Sequence, residues 1–140
     1  MPLIDLDRIP QVALDFINRD HLEEARLLNE LAEAIEAERA RRTGPEPVVA
    51  CFQALLDHTR AHFEREDQTM RERGFPAYPM HHGEHERVLA ELAAEGRTFD
   101  ETADLDRLRT YATRAVPAWF DHHIQTMDRI TADFVARQGD

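Results

Sequence analysis

Residues 58–85 read HTRAHFEREDQTMRERGFPAYPMHHGEH, and this stretch decides the fold. It carries His62 with Glu66, and His81 with His85, each pair four residues apart. On an α-helix that spacing puts both side chains on one face, with Cβ atoms about 5–6 Å from each other. Imidazole and carboxylate together suit iron, zinc or manganese. Gly74, Pro76 and Pro79 lie between the pairs and break the helix there. Two helices therefore meet at a tight turn, each presenting two ligand-type side chains near the same end. The competing reading is a pair of solvated helix faces.

Working outward, the second helix is expected over 46–73, with Val48, Cys51, Leu55, His58 and His62 along its inner face. Cys51 reads as a small buried apolar residue. The third helix is expected to start within 76–80 and to end near Gly96, with Val88, Leu89 and Leu92 below its histidines. Thr43–Pro47 is a clear break. Before it, a first helix is predicted over 10–42, and residues 1–10 read as an extended N-terminal arm. The stripe of that first helix is Leu14, Ile17, His21, Glu24, Leu28, Leu31 and Ile35, a packed-helix seam. His21 and Glu24 are out of place in it, because a buried ionisable group needs a partner.

After a short loop at 97–100, a fourth helix is expected over 101–137. Its seam is Leu105, Leu108, Val116, Phe120, Ile124, Met127, Ile130 and Phe134, and Pro117 should kink it. Short connections make this an all-α, antiparallel up-down-up-down four-helix bundle, one domain over 1–140. The fourth helix adds Trp119, Phe120, His123 and Asp128. Five residues of α-helix place His123 and Asp128 about 140° apart, which is poor for chelating one ion. The pair makes better sense if the aspartate reaches across to bridge two ions.

Composition sets outer limits. Charged residues make up 32% and apolar ones 42%, ordinary for a globular chain. A formal net charge of −11 argues against nucleic acid or an anionic membrane surface as partner. One cysteine excludes an internal disulfide and a cysteine-cluster zinc site. No run of about 18 apolar residues exists, and no basic-then-apolar leader opens the chain, so a cytoplasmic protein is expected.

Taken together, His21, His62-x3-Glu66, the Phe75-Pro76 turn, His81-x3-His85 and Trp119-Phe120-x2-His123-x4-Asp128 resemble the hemerythrin family in its bacterial single-domain form. The match runs in order along nearly the whole chain. The resemblance implies two non-haem iron ions with an oxo or hydroxo bridge. His81, His85 and His123 would bind one iron, and His21 and His62 the other. Glu66 and Asp128 would bridge them. By the family's pattern the iron with two histidines keeps an open position for dioxygen. The chain departs from that pattern in four places: His58 stands for a usual Tyr, Phe120 for a usual Leu, Pro117 interrupts the last helix, and Glu24 enters the seam.

Three function classes remain open at this point. One is reversible dioxygen binding, as carrier, store or sensor. Another is a di-iron enzyme acting on peroxide, nitric oxide or dioxygen. The third is a structural metal site, against which the open position argues. Trp119 and Phe120 are expected to wall the ligand pocket. Glu24 and His58 are expected to meet beside the two-histidine iron, hydrogen-bonded or joined through a water, as proton-transfer groups; Glu24 binding the iron directly is the alternative. His82 and His122 are expected to face away from the site.

Overall fold

The computed structural model describes residues 2–138. Met1 of the expected arm, and Gly139 and Asp140 of the expected domain, lie outside the described residues. The described residues contain four long helical runs: α1 (Asp15–Arg39), α2 (Glu46–Arg73), α3 (Tyr78–Thr102) and α4, over 105–138. Among the described residues there is no strand, and no helix is long and apolar enough to cross a membrane.

Helix α2 has the expected bounds. Pro sits in its first turn, where no N–H is needed, and Gly74 ends it in the left-handed region at φ 65°. Helix α1 starts five residues later than expected. The Asn18 side chain bonds both the N–H and the C=O of Val12, each at 2.9 Å, and so satisfies the preceding backbone outside a helix. Residues 2–14 contain one 3-10 turn, Leu6–Arg8, and lie against α1, with the Ile4 N–H donating to Asn29 Oδ1.

Helix α3 does not end at Gly96 but runs on to Thr102, so the expected loop at 97–100 is helical. Gly96 serves packing instead of termination: a Cβ there would sit 2.7 Å from the Phe52 ring. The real break is Ala103, at φ 55°, followed by Asp104, which caps the next helix through Arg107 N–H.

Helix α4 is not a uniform α-helix. The α-helical segments Leu105–Thr110, Val116–His123 and Arg129–Gln138 are separated by π-helical turns at Tyr111–Ala115 and Ile124–Asp128. The first π turn ends directly before Val116–Pro117, where proline supplies no N–H. Each π turn inserts one residue and rotates the helix beyond it. Ile130, expected in the seam, is consequently exposed, while Thr131, Ala132 and Val135 face inward.

The interior has two storeys. One is apolar, centred on Leu28, Leu31, Ile35, Phe52, Leu55, Leu92, Phe99 and Leu108. The other holds His21, His62, Glu66, His81, His85, His123 and Asp128, all buried. Ile9, Ala25, Phe120 and Ile124 form a smaller apolar group beside the polar storey.

Candidate metal centre

All seven ligand-type residues singled out in the sequence converge in the polar storey. Glu66, His81, His85, His123 and Asp128 form one group, and His21, His62 and Glu66 a second, with the donor atoms of each group within 4.8 Å of one another. Every histidine turns Nε2 inward. Asp128 Oδ2 lies 2.8 Å from His21 Nε2, while its Oδ1 lies 3.1 Å from both His81 Nε2 and His123 Nε2. Glu66 behaves alike: Oε2 lies 2.6 Å from His62 Nε2, and Oε1 lies 3.5 Å from His85 Nε2 and 3.7 Å from His81 Nε2. Each carboxylate thus gives one oxygen to the two-histidine side and one to the three-histidine side.

The π turn at Ile124–Asp128 makes this geometry available. Regular α-helical rotation would set His123 and Asp128 on different faces. An added residue in the turn widens it, so residues five apart come onto one face. His123 Nε2 and Asp128 Oδ1 are 3.1 Å apart in consequence.

The donor set fits a pair of cations. His85 Nε2, Glu66 Oε1 and Asp128 Oδ1 are buried without a hydrogen-bond partner, and Nε2 of His81 faces Nε2 of His123 at 3.2 Å. Two buried carboxylates side by side are costly unless positive charge offsets them. Burial and the neighbouring Asp128 charge oppose ionisation of Glu66, yet His62 and His85 hold it below the ordinary carboxylate range. Burial likewise opposes ionisation of Asp128, which His123, His21 and His81 hold well below that range. Five imidazoles and two carboxylates are borderline ligands suited to iron or zinc.

Surrounding groups fix the ring orientations, and apart from Trp119 the sequence did not reveal them. Thr131 Oγ1 lies 2.8 Å from His81 Nδ1. Asp67 Oδ1 lies 2.8 Å from His85 Nδ1, and Phe63 stacks on the His85 ring at 3.9 Å. Burial works against charge on His85, but Asp67 and Glu66 overcome it and raise its pKa to about 9. Trp119 stacks on His123 at 4.4 Å and donates its Nε1–H to Glu84 Oε2. The available signals were thin: Asp67 directly follows Glu66, and Thr131 is a polar residue inside a helix.

His122 is exposed, as expected. His82 turns from the cluster but is no bystander. Its Nδ1 lies 2.8 Å from Asp67 Oδ2, so Asp67 is held between His82 and His85. Cys51 is half-buried, not fully buried, and burial raises its thiol pKa, which keeps it protonated.

On the two-histidine side, Phe120 stands edge-on to His21 at 5.6 Å. It borders a cavity of about 30 Å³ whose wall is mostly apolar, including Leu28, Leu55 and Trp119, with Glu24, Thr59, Glu91 and Tyr111 as polar members. Glu24 is buried and His58 half-buried. Glu24 Oε1 lies 3.6 Å from His58 Nε2, beyond a direct hydrogen bond, and 3.5 Å from His62 Nδ1. Nε2 of His58 is instead 3.1 Å from the Asp20 carbonyl oxygen, and Thr59 Oγ1 donates to Glu24 Oε2.

Comparison with known proteins agrees with this geometry. The chain is 30% identical over 139 residues to a bacteriohemerythrin of Ralstonia nicotianae, covering 99% of this chain and 93% of that one. It is 27% identical over 130 residues to a bacteriohemerythrin of Aquifex aeolicus, covering 93% and 95% of the two chains. A bacteriohemerythrin of Stenotrophomonas maltophilia is 28% identical over 125 residues, covering 89% of this chain and 76% of that protein. The hemerythrin HHE cation binding domain matches residues 12–135, so this chain belongs to the hemerythrin family.

Proposed function

We propose that the protein is a non-haem di-iron protein that binds dioxygen reversibly. The observation that carries this reading is the division of each buried carboxylate between the two halves of the site. Glu66 and Asp128 each offer one oxygen to the two-histidine group and the other to the three-histidine group. In this reading His81, His85 and His123 would hold one iron, His21 and His62 the other, and Glu66 and Asp128 would serve both. The iron pair, with an oxo or hydroxo bridge, supplies the electrons for reversible dioxygen binding.

The chain's own residues do the rest. The two-histidine half offers one ligand fewer, and an iron held there would keep room for a further ligand. The cavity beside it exceeds the roughly 10–15 Å³ that one water needs, so a diatomic molecule fits. Its apolar lining favours a neutral ligand over an anion. Phe120 narrows the approach to His21. Thr131 and Asp67 hold His81 and His85 through Nδ1, which leaves Nε2 free for the metal.

The same reading takes the chain as one domain with up-down-up-down helices. Gln138 at the end of α4 meets Arg73 at the end of α2, as the parallel second and fourth helices of such a bundle would, and Arg109 near the start of α4 meets Glu36 near the end of α1, as antiparallel neighbours would.

Metal analysis and oxygenation test the proposal together. Protein produced with sufficient iron should hold two irons per chain. Adding oxygen to the reduced, anaerobic protein should give a coloured adduct that disappears under vacuum. An adduct that instead decays irreversibly with peroxide release would assign the enzyme class.

A further inference from the structure

We propose a third cation site in this protein, made by Glu24, His58 and His62, which adjoins the paired centre and shares His62 with it. The three residues form their own group of potential ligands, with donor atoms within 4.8 Å of one another. Two of those atoms, Glu24 Oε1 and His62 Nδ1, are buried and have no hydrogen-bond partner. Glu24 and His62 are 6% and 2% exposed, so neither atom is satisfied by bulk water. This inference goes beyond the di-iron reading and rests on the far edge of His62, the one that faces away from Glu66.

The separations decide what fits. Glu24 Oε1 lies 3.5 Å from His62 Nδ1 and 3.6 Å from His58 Nε2. Both distances are too long for a good hydrogen bond. Two donors about 2.1 Å from one ion and 3.5 Å or 3.6 Å apart subtend about 113° or 118°, near the tetrahedral angle. A water about 2.8 Å from the same two atoms would be squeezed to an angle of about 77°, poor for a bridging hydrogen-bond pair. The spacing therefore suits a small divalent cation with nitrogen and oxygen ligands, of which zinc is the best matched.

The surroundings hold the ligands in place. The Thr59 hydroxyl engages Glu24 Oε2 and leaves Oε1 free to face the histidines. The Asp20 carbonyl oxygen, 3.1 Å from His58 Nε2, borders the site and offers a fourth ligand. His62 can serve both centres, with Nε2 turned to Glu66 and Nδ1 to Glu24. On binding, His62 releases its Nδ1 proton to solvent, and the His58 proton moves from Nε2 to Nδ1. One carboxylate and one imidazolate then neutralise one dication.

The test uses the iron-loaded protein, titrated with zinc and analysed for both metals after removal of free ions. The site is expected to add one zinc per chain without loss of iron. A protein whose paired centre takes zinc in place of iron should bind three zinc ions, so failure of the di-iron reading is distinguishable. Glu24→Gln and His58→Phe should each lose the additional ion and keep the paired ones. Cobalt in place of zinc should give the intense visible bands of a tetrahedral ion, absent from both variants. Zinc uptake only by displacement of iron, or the same total in wild type and variants, would overturn the site. Should a variant fail to fold, anomalous scattering from zinc-soaked wild-type crystals decides alone. A peak among Glu24, His58 and His62 supports the site, and its absence at full occupancy of the paired centre refutes it.

Discussion

The two halves of the metal centre are built differently. On the three-histidine side, His81 is held by Thr131, His85 by Asp67 and the Phe63 ring, and His123 by Trp119. On the two-histidine side, Nδ1 of both His21 and His62 lacks a hydrogen-bond partner, and the neighbours are Phe120, a cavity and Glu24. A ring fixed at its far nitrogen presents its near nitrogen at little entropic cost. One half is therefore pre-organised to grip, while the other is left with space and unsatisfied donors. Under the proposed function, ligand exchange belongs to the two-histidine half.

Glu66 joins the halves, so removing it should break the comparison altogether. Glu66→Ala is expected to leave at most one tightly bound ion per chain by metal analysis, because each half loses an oxygen at once. Retention of two ions would show that Asp128 alone bridges the groups.

Phe120→Ala strikes only the two-histidine half. It should cost about 3–5 kcal/mol of stability in denaturant unfolding, the range for large-to-small core changes. Azide should reach the centre faster in stopped-flow measurements. An unchanged azide rate would make Phe120 a packing residue and nothing more.

Asp67→Ala strikes only the three-histidine half, by freeing His85. Loss of such an orienting carboxylate is expected to weaken metal binding about 10–100-fold in competition with a chelator. Equal weakening from His82→Ala would show that His82, through Asp67, is part of the same clamp.

The smallest effect concerns Glu84, which anchors Trp119 over His123. Hydrogen bonding by Arg87 outweighs partial burial and lowers the Glu84 pKa from 4.5 to about 2, with Trp119 assisting. A depressed carboxylate pKa stabilises the fold above the unfolded value, here 4.5, and that contribution is lost as pH falls through 2. Carboxyl resonances followed by NMR should show Glu84 titrating near 2 and moving up toward 4.5 in Arg87→Ala. An unmoved midpoint would assign the shift to Trp119.

The sequence carried the helical class and the seven ligand-type positions, because helical periodicity and breakers are local. His62 with Glu66 and His81 with His85 announce themselves by spacing alone, and the α2 bounds derive from Pro47 and Gly74. It misplaced the α3–α4 boundary for an equally definite reason. Gly96 resembles a terminator in sequence, yet the Phe52 ring from α2 needs the space its missing side chain leaves. Nor could spacing alone bring His123 and Asp128 onto one face. That required the π-helical turn at Ile124–Asp128, which brings residues five apart onto one face. The roles of Asp67, Thr131 and His82, and the separations within the Glu24, His58 and His62 group, depend on helices packed side by side. Residue spacing along one helix fixes which side chains share a face. Only the packing of helices against one another fixes what that face meets, since those contacts join residues distant in the chain.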